Sequence, residues 1–295
     1  MFELPDSPTD PLKLADWLEI CALTSPDYNS SRGDLESALH VAALFNNGYE
    51  SERIERKALE VFDELEQRVK ATGEAYPFNV APPVLQFKSK WEDFPVYIFC
   101  LCLSYFGWAA HQHKTINPRK LFEQVSCTAA ERFLQGKAVG FGFPRIGLPT
   151  SFPDAVTAIC KHIGEGESYR EQRSLDRKDD ALDLVAWKDF ADKLPSKILM
   201  FGQCASGWDW EDKITELRAK AFWENWILVS PVSPLVQTFF IPHRVERQKW
   251  GWVARKSEGI LFDRCRIAYW AHNQKSDYIS HLMAWSKDLL VQVTP

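Results

Sequence analysis

No excess of positive charge runs through this chain. Lys and Arg total 35 against 40 Asp and Glu, giving a formal net charge of −5 and a pI near 5.9. That balance excludes a protein that coats nucleic acid through overall basicity. It leaves room for an acidic metal centre beside a local basic groove, because the two can coexist in an acidic chain. No CxxC pair occurs among the seven cysteines, whose number is odd. Several lie in apolar runs, as buried thiols do. They are read as reduced, which implies an intracellular, cytoplasmic protein. Cys160 and His162 have no second ligand pair nearby, so a structural zinc site is not expected. The opening MFELPDSPTD has no apolar stretch of the kind a secretion signal needs. Long hydrophobic runs are scarce too. The strongest, Phe94–Ala110, contains Pro95 and Gly107 and reaches only the lower limit for a membrane span, so a buried element is expected there. Internal repeats and low-complexity tracts are also missing.

What is present in quantity is aromatic side chain, 12 Trp and 19 Phe among them. So many large rings must mostly be core, because a surface carrying them would be adhesive. Periodicity divides the chain at about residue 115. Before it, residues 10–25, 34–46 and 52–72 read as helices, with Asp34 and Ser51 as candidate caps and Asn46–Gly48 as a stop signal. Pro77, Pro82 and Pro83 interrupt the pattern, and an apolar helical segment follows. Residues 1–115 are therefore expected to form an α-helical module without chemistry of its own.

Residues 116–295 have a different texture. A helix over Pro118–Gln135 ends at Gly136 and leads into a strand, KAVGFGF. A helix near 152–163 follows, then a polar stretch and two strand-like runs, LDLVAW at 182–187 and KILMFGQCA at 197–205. A helix over Trp210–Asn225, a strand VQTFFIP at 236–242 and helices near 262–271 and 277–291 complete the order. Helices interleaved with strands in this way predict an α/β fold on a mixed sheet. Asp183 sits at the start of one apolar strand and Gln203 near the end of the next. A polar group is costly there unless it is hydrogen-bonded, paired or bound to metal, and two oxygen donors at adjacent strand ends can share a hard cation.

The run Asp179-Asp180-Ala181-Leu182-Asp183-Leu184-Val185-Ala186-Trp187, followed by Gly202-Gln203-Cys204-Ala205-Ser206-Gly207, resembles the PD-(D/E)XK, or restriction-endonuclease-like, superfamily. Its branch associated with bacterial anti-phage defence is the nearest in pattern, and the likeness covers roughly residues 117–270. It implies an αβββαβ core and Mg²⁺- or Mn²⁺-dependent cleavage of DNA phosphodiesters, with further defence-complex subunits as partners and no membrane association. It implies Asp183 as the motif aspartate, Gln203 at the Glu/Gln position and Glu123 as the helix carboxylate, the three holding the metal, with Glu131 in reserve. The motif lysine would fall on position 205, which is Ala205. Lys178, Lys188 and Lys213 are the nearby replacements. Lys213 is favoured because its helix starts just after the Gln203 strand, although pairing with Asp209 is its competing structural role.

A second feature is the segment RVERQKWGWVARK. Its Arg244, Arg247, Lys249, Arg255 and Lys256 are candidate phosphate contacts, with Trp250 and Trp252 available to stack on bases. Because Ala205 stands where the lysine belongs, an inactive DNA-binding or assembly subunit of the same fold is the alternative to an active endonuclease. A third possibility is an adaptor that works through the helical module alone.

Overall fold

The computed structural model describes residues 3–5, 7, 9–45, 51–110, 113, 115–171, 179–273 and 275–293. The chain begins with helix α1 (Pro11–Thr24), whose first turn is closed by the Asp10 carboxylate accepting from Leu12 N at 2.9 Å. Strand β1 (Asn29–Ser31), helices α2 (Arg32–Phe45) and α3 (Ser51–Thr72), strands β2 (Phe78–Ala81) and β3 (Val84–Phe87) and helix α4 (Pro95–Phe106) follow. Next come α5 (Pro118–Leu134), β4 (Lys137–Gly140), α6 (Phe152–Ile163), β5 (Leu184–Lys188) and β6 (Ile198–Cys204). The last elements are α7 (Trp210–Lys213), α8 (Ala219–Trp226), β7 (Val236–Phe240), α9 (Arg247–Lys256), β8 (Ile260–Phe262), α10 (Arg264–Ala271) and α11 (Tyr278–Val293). The expected stop at Asn46–Gly48 lies outside the described residues.

These elements form two compact units. The first takes Met1–Pro118, His243–Glu246 and Arg264–Pro295; the second takes Arg119–Pro242 and Arg247–Asp263. The first break between the units falls after Pro118, and the C-terminal helices belong with the N-terminal residues. The first unit is also not wholly helical. β1, β3 and β2 form an antiparallel sheet in that order, because the prolines stop helix growth and Phe78, Leu85 and Phe87 turn inward from the strands. The apolar run at 94–110 is the buried helix α4, packed on α10 and α11 and ended at Gly107, whose φ is 78°. No helix among the described residues is long and apolar enough to cross a membrane.

Charge is buried inside this unit. Arg68 holds Asp16 at 2.7 Å, Glu19 at 2.8 Å and Glu64 at 2.8 Å. Arg264 also binds Asp16, and Arg244 binds Glu64 at 3.0 Å. Three cations thus answer three anions. Such a group is costly to assemble and more costly to break, because one deletion strands a buried charge.

The second unit is built on a sheet in the order β4-β5-β6-β7-β8. β4, β5 and β6 are antiparallel neighbours, and β7 and β8 then run parallel to β6. The protein is thus an α/β molecule with one antiparallel and one mixed sheet. Val185, Trp187, Leu199 and Phe201 point from one face into a core with α6 and α8. The helix expected over Trp210–Asn225 is broken into α7 and α8, and α8 starts where Ala219 N donates to the Gln237 side chain at 2.9 Å. The basic segment is mostly the helix α9, followed by a short strand, β8, that the sequence pattern did not announce.

Candidate active site

Just ahead of β5 the chain bends sharply. Asp180 and Ala181 adopt φ values of 51° and 63°, and the Asp180 carboxylate accepts from Trp226 Nε1 at 2.6 Å. The Asp183 carbonyl accepts from both Phe141 N (2.7 Å) and Gly142 N (3.1 Å), so two residues just after β4 oppose one just before β5, as at a bulge. This local distortion aims the Asp183 side chain at α5. Its Oδ2 accepts from Cys204 N at 2.7 Å.

Helix α5 supplies Glu123 to the same place. A Cβ on Gly142 would stand 2.6 Å from Glu123 Oε2 and 2.7 Å from Asp183 Oδ1. The two carboxylates therefore flank a point that only glycine leaves open. Lys120, one turn earlier on α5, places Nζ 2.6 Å from Glu123 Oε2, with 14% and 17% of the two side chains exposed. Asp179 adds a third negative charge and accepts weakly from Phe143 N at 3.4 Å. Burial first, then the charge of Glu123, hold the Asp183 carboxyl well above the usual carboxylate range, while the Cys204 amide opposes that rise. Burial also raises Glu123, against the pull of Lys120. The cluster is rich in carboxyl oxygen, and Lys120 and Arg119 are the cations that act on Glu123.

The other expected members lie elsewhere. Gln203 is buried, but its amide donates to Glu216 Oε2 at 2.8 Å and its oxygen accepts from Leu217 N at 3.2 Å. It is committed to the segment between α7 and α8 and is not brought to the Asp183–Glu123 pair. Register explains why the expectation failed. Leu184 pairs with Gly202, so Gln203 continues the face of Phe201 and Leu199, while Asp183 has left that alternation at the bend. Ala205 is buried, and its N–H donates to the Phe240 carbonyl at 2.9 Å. Lys213 pairs with Asp209 at 3.1 Å, the structural role weighed against it, and Asp209 makes no side-chain cap. Lys188 donates to the Gln135 carbonyl, Glu131 is exposed further along α5, and Lys178 lies outside the described residues.

The basic segment is divided between the units. Arg244 belongs to the first, with only 9% of its side chain exposed against Glu64. Arg247, Lys249 and Arg255 are exposed on α9. Lys256 donates to the Glu211 carbonyl at 3.1 Å and stands 5.0 Å from the centre of the Trp252 ring, itself 50% exposed.

Lys120, Asp179 and Gly142 were not singled out from sequence. The signal for Lys120 was its spacing three residues before Glu123; for Asp179, the acidic doublet ahead of the strand; for Gly142, the GFGFPR turn. Among the described residues no group of three or more His, Cys, Asp or Glu is placed to hold a metal ion. The oxygen pair itself suits a magnesium-like ion. Such ions commonly take one or two protein carboxylates and fill their remaining positions with water and substrate phosphate.

No family model matches the chain, and no curated protein matches it. A crystal structure of protein VC1899 from Vibrio cholerae aligns with 98% of this chain and 58% of its own length, at 11% identity and a TM-score of 0.24. The chain thus spans little more than half of that protein, and the likeness is too weak to argue from.

Proposed function

We propose that the second unit is a metal-dependent nuclease of the PD-(D/E)XK type, acting on DNA phosphodiesters as part of an anti-phage defence system. The observation that carries this reading is the meeting of Glu123 from α5 with Asp183 across Gly142. The order α5, three antiparallel strands with α6 inserted after the first, α7–α8 and the parallel strand β7 supports it as well.

Glu123 and Asp183 would hold one Mg²⁺ or Mn²⁺, and Gln203 is replaced in that role by water and substrate oxygens. Bound there, the ion would supply Lewis acidity towards the phosphate and lower the pKa of a water. The chain's own residues do the rest. Cys204 N fixes Asp183, α5 fixes Glu123, and the exposed cations of α9 offer phosphate contacts away from the centre. The inactive-subunit reading keeps one favourable observation, the buried apolar Ala205 at the lysine position.

The test is Mn²⁺ binding by calorimetry together with cleavage of single- and double-stranded DNA. Asp183→Asn and Glu123→Gln should each abolish Mn²⁺ binding and cleavage while leaving the thermal melt in place. Full cleavage by a folded Asp183→Asn protein would exclude this site. DNA binding by the parent without cleavage in Mg²⁺ or Mn²⁺ would favour the inactive subunit.

A further inference from the structure

The acid pair already has a cation, and it comes from neither strand. Lys120 Nζ sits 2.6 Å from Glu123 Oε2, the same oxygen that faces Asp183 Oδ1 across Gly142. Exposed i,i+3 ion pairs on helices are common and contribute little. This one differs in where it points. Both side chains are largely covered, and the ammonium acts on Asp183 as well as on Glu123. Two of the lysines proposed from sequence are engaged elsewhere, Lys213 by Asp209 and Lys188 by a carbonyl, and the third, Lys178, lies outside the described residues.

We infer that Lys120 is the charge-stabilising residue of this site, seated on the carboxylate pair at rest and transferred to the scissile phosphate during the reaction. The inference rests on the nuclease reading given above. Its physical basis is competition for one oxygen. When Glu123 is committed to a divalent cation, the Lys120 ammonium loses its nearest anion. A phosphate oxygen is the partner the proposed substrate offers within reach of the same stem. A phosphoryl-transfer transition state gathers negative charge, and a preorganised ammonium stabilises it without a proton leaving the lysine. The mobile counter-charge thus comes from the helix before the strands and takes the place of a lysine at position 205.

The experiment compares the parent protein with Lys120→Met, Lys120→Arg and Lys213→Ala. Thermal melts establish that each is folded. Mn²⁺ affinity is measured by calorimetry without DNA. DNA affinity is measured in Ca²⁺, and cleavage in single turnover with Mg²⁺. Lys120→Met should bind Mn²⁺ several-fold more tightly, because a competing cation has gone. It should cleave more slowly by a factor on the order of 10² to 10³, the usual loss for one preorganised charge-stabilising group. Its DNA affinity should change little, Lys120→Arg should recover part of the rate, and Lys213→Ala should cleave like the parent. Parent-like cleavage by Lys120→Met, or unchanged Mn²⁺ affinity in it, overturns the role of Lys120. If Lys120→Met does not fold, Lys120→Arg decides by the same two readouts, a smaller change in the same direction being required. Failure of the parent itself to bind Mn²⁺ and to cleave overturns the nuclease reading, and this inference with it.

Discussion

Gly142 is the residue on which the geometry of the carboxylates depends most directly. Its backbone φ is not in the left-handed region, so conformational freedom is not the issue. Space is. A methyl group there would meet two carboxylate oxygens well inside van der Waals contact, at 2.6 and 2.7 Å. Both are ends of side chains, so they can swing away, and the fold should survive. Gly142→Ala is therefore expected to keep its melting temperature to within a few degrees while weakening Mn²⁺ binding at least tenfold by calorimetry. Unchanged affinity would mean that the two carboxylates do not act together. The residue scale also shows why Gln203 misled a reading from spacing. Spacing places Gln203 one residue beyond the Leu184–Gly202 pair, opposite Asp183. It cannot tell that Asp180 and Ala181 twist the chain or that Leu217 N–H competes for the glutamine oxygen.

Among the elements, α9 illustrates the same division. Its composition marks it as a basic surface from sequence alone, and Arg247, Lys249 and Arg255 are indeed exposed on one short helix. Arg244, only three residues earlier, is instead largely covered and paired with Glu64. Charge removal should separate the two roles. Changing Arg247, Lys249, Arg255 and Lys256 together to Gln should weaken binding to all DNA sequences alike and flatten the plot of log affinity against log salt. An unchanged slope would place the nucleic-acid path elsewhere. Arg244→Ala should leave that slope alone and lower the unfolding free energy, read from denaturant melts, by about 2 kcal/mol for a lost charged hydrogen bond whose acceptor keeps Arg68. A salt-slope change from Arg244→Ala without loss of stability would contradict its structural role.

At the scale of the whole molecule, the C-terminal helices are part of the N-terminal unit. α10 brings Arg264 to Asp16, and α11 sets Trp285 against Phe99, with ring centres 5.4 Å apart. A chain ending at Asp263 would leave Asp16 and Glu19 one cation short and strip the covering from α4. Breaking a buried charge group of this kind costs about 3–5 kcal/mol, before the lost apolar contacts are added. The truncated protein is expected to lose the cooperative melt of the first unit and to expose apolar surface to a hydrophobic dye. A truncated chain with the parent's melting profile would show that the tail is dispensable.

What the sequence determined by itself is local. Spacing of apolar residues and the proline and glycine stops set most of the helices and several of the strands, because each depends on neighbours within a few residues. Glu123 and Asp183 were legible as polar groups on or beside those elements, and a buried-helix reading of the run at 94–110 follows from its length. Only the tertiary structure decided which of these groups meet. The bend at Asp180–Ala181 turned Asp183 towards α5, the segment after α7 claimed Gln203, and the buried guanidinium of Arg264 drew the tail to residues some 250 positions earlier. The physical reason is that a buried charge or amide must find its partner wherever the fold supplies one, and that partner is often far away in sequence.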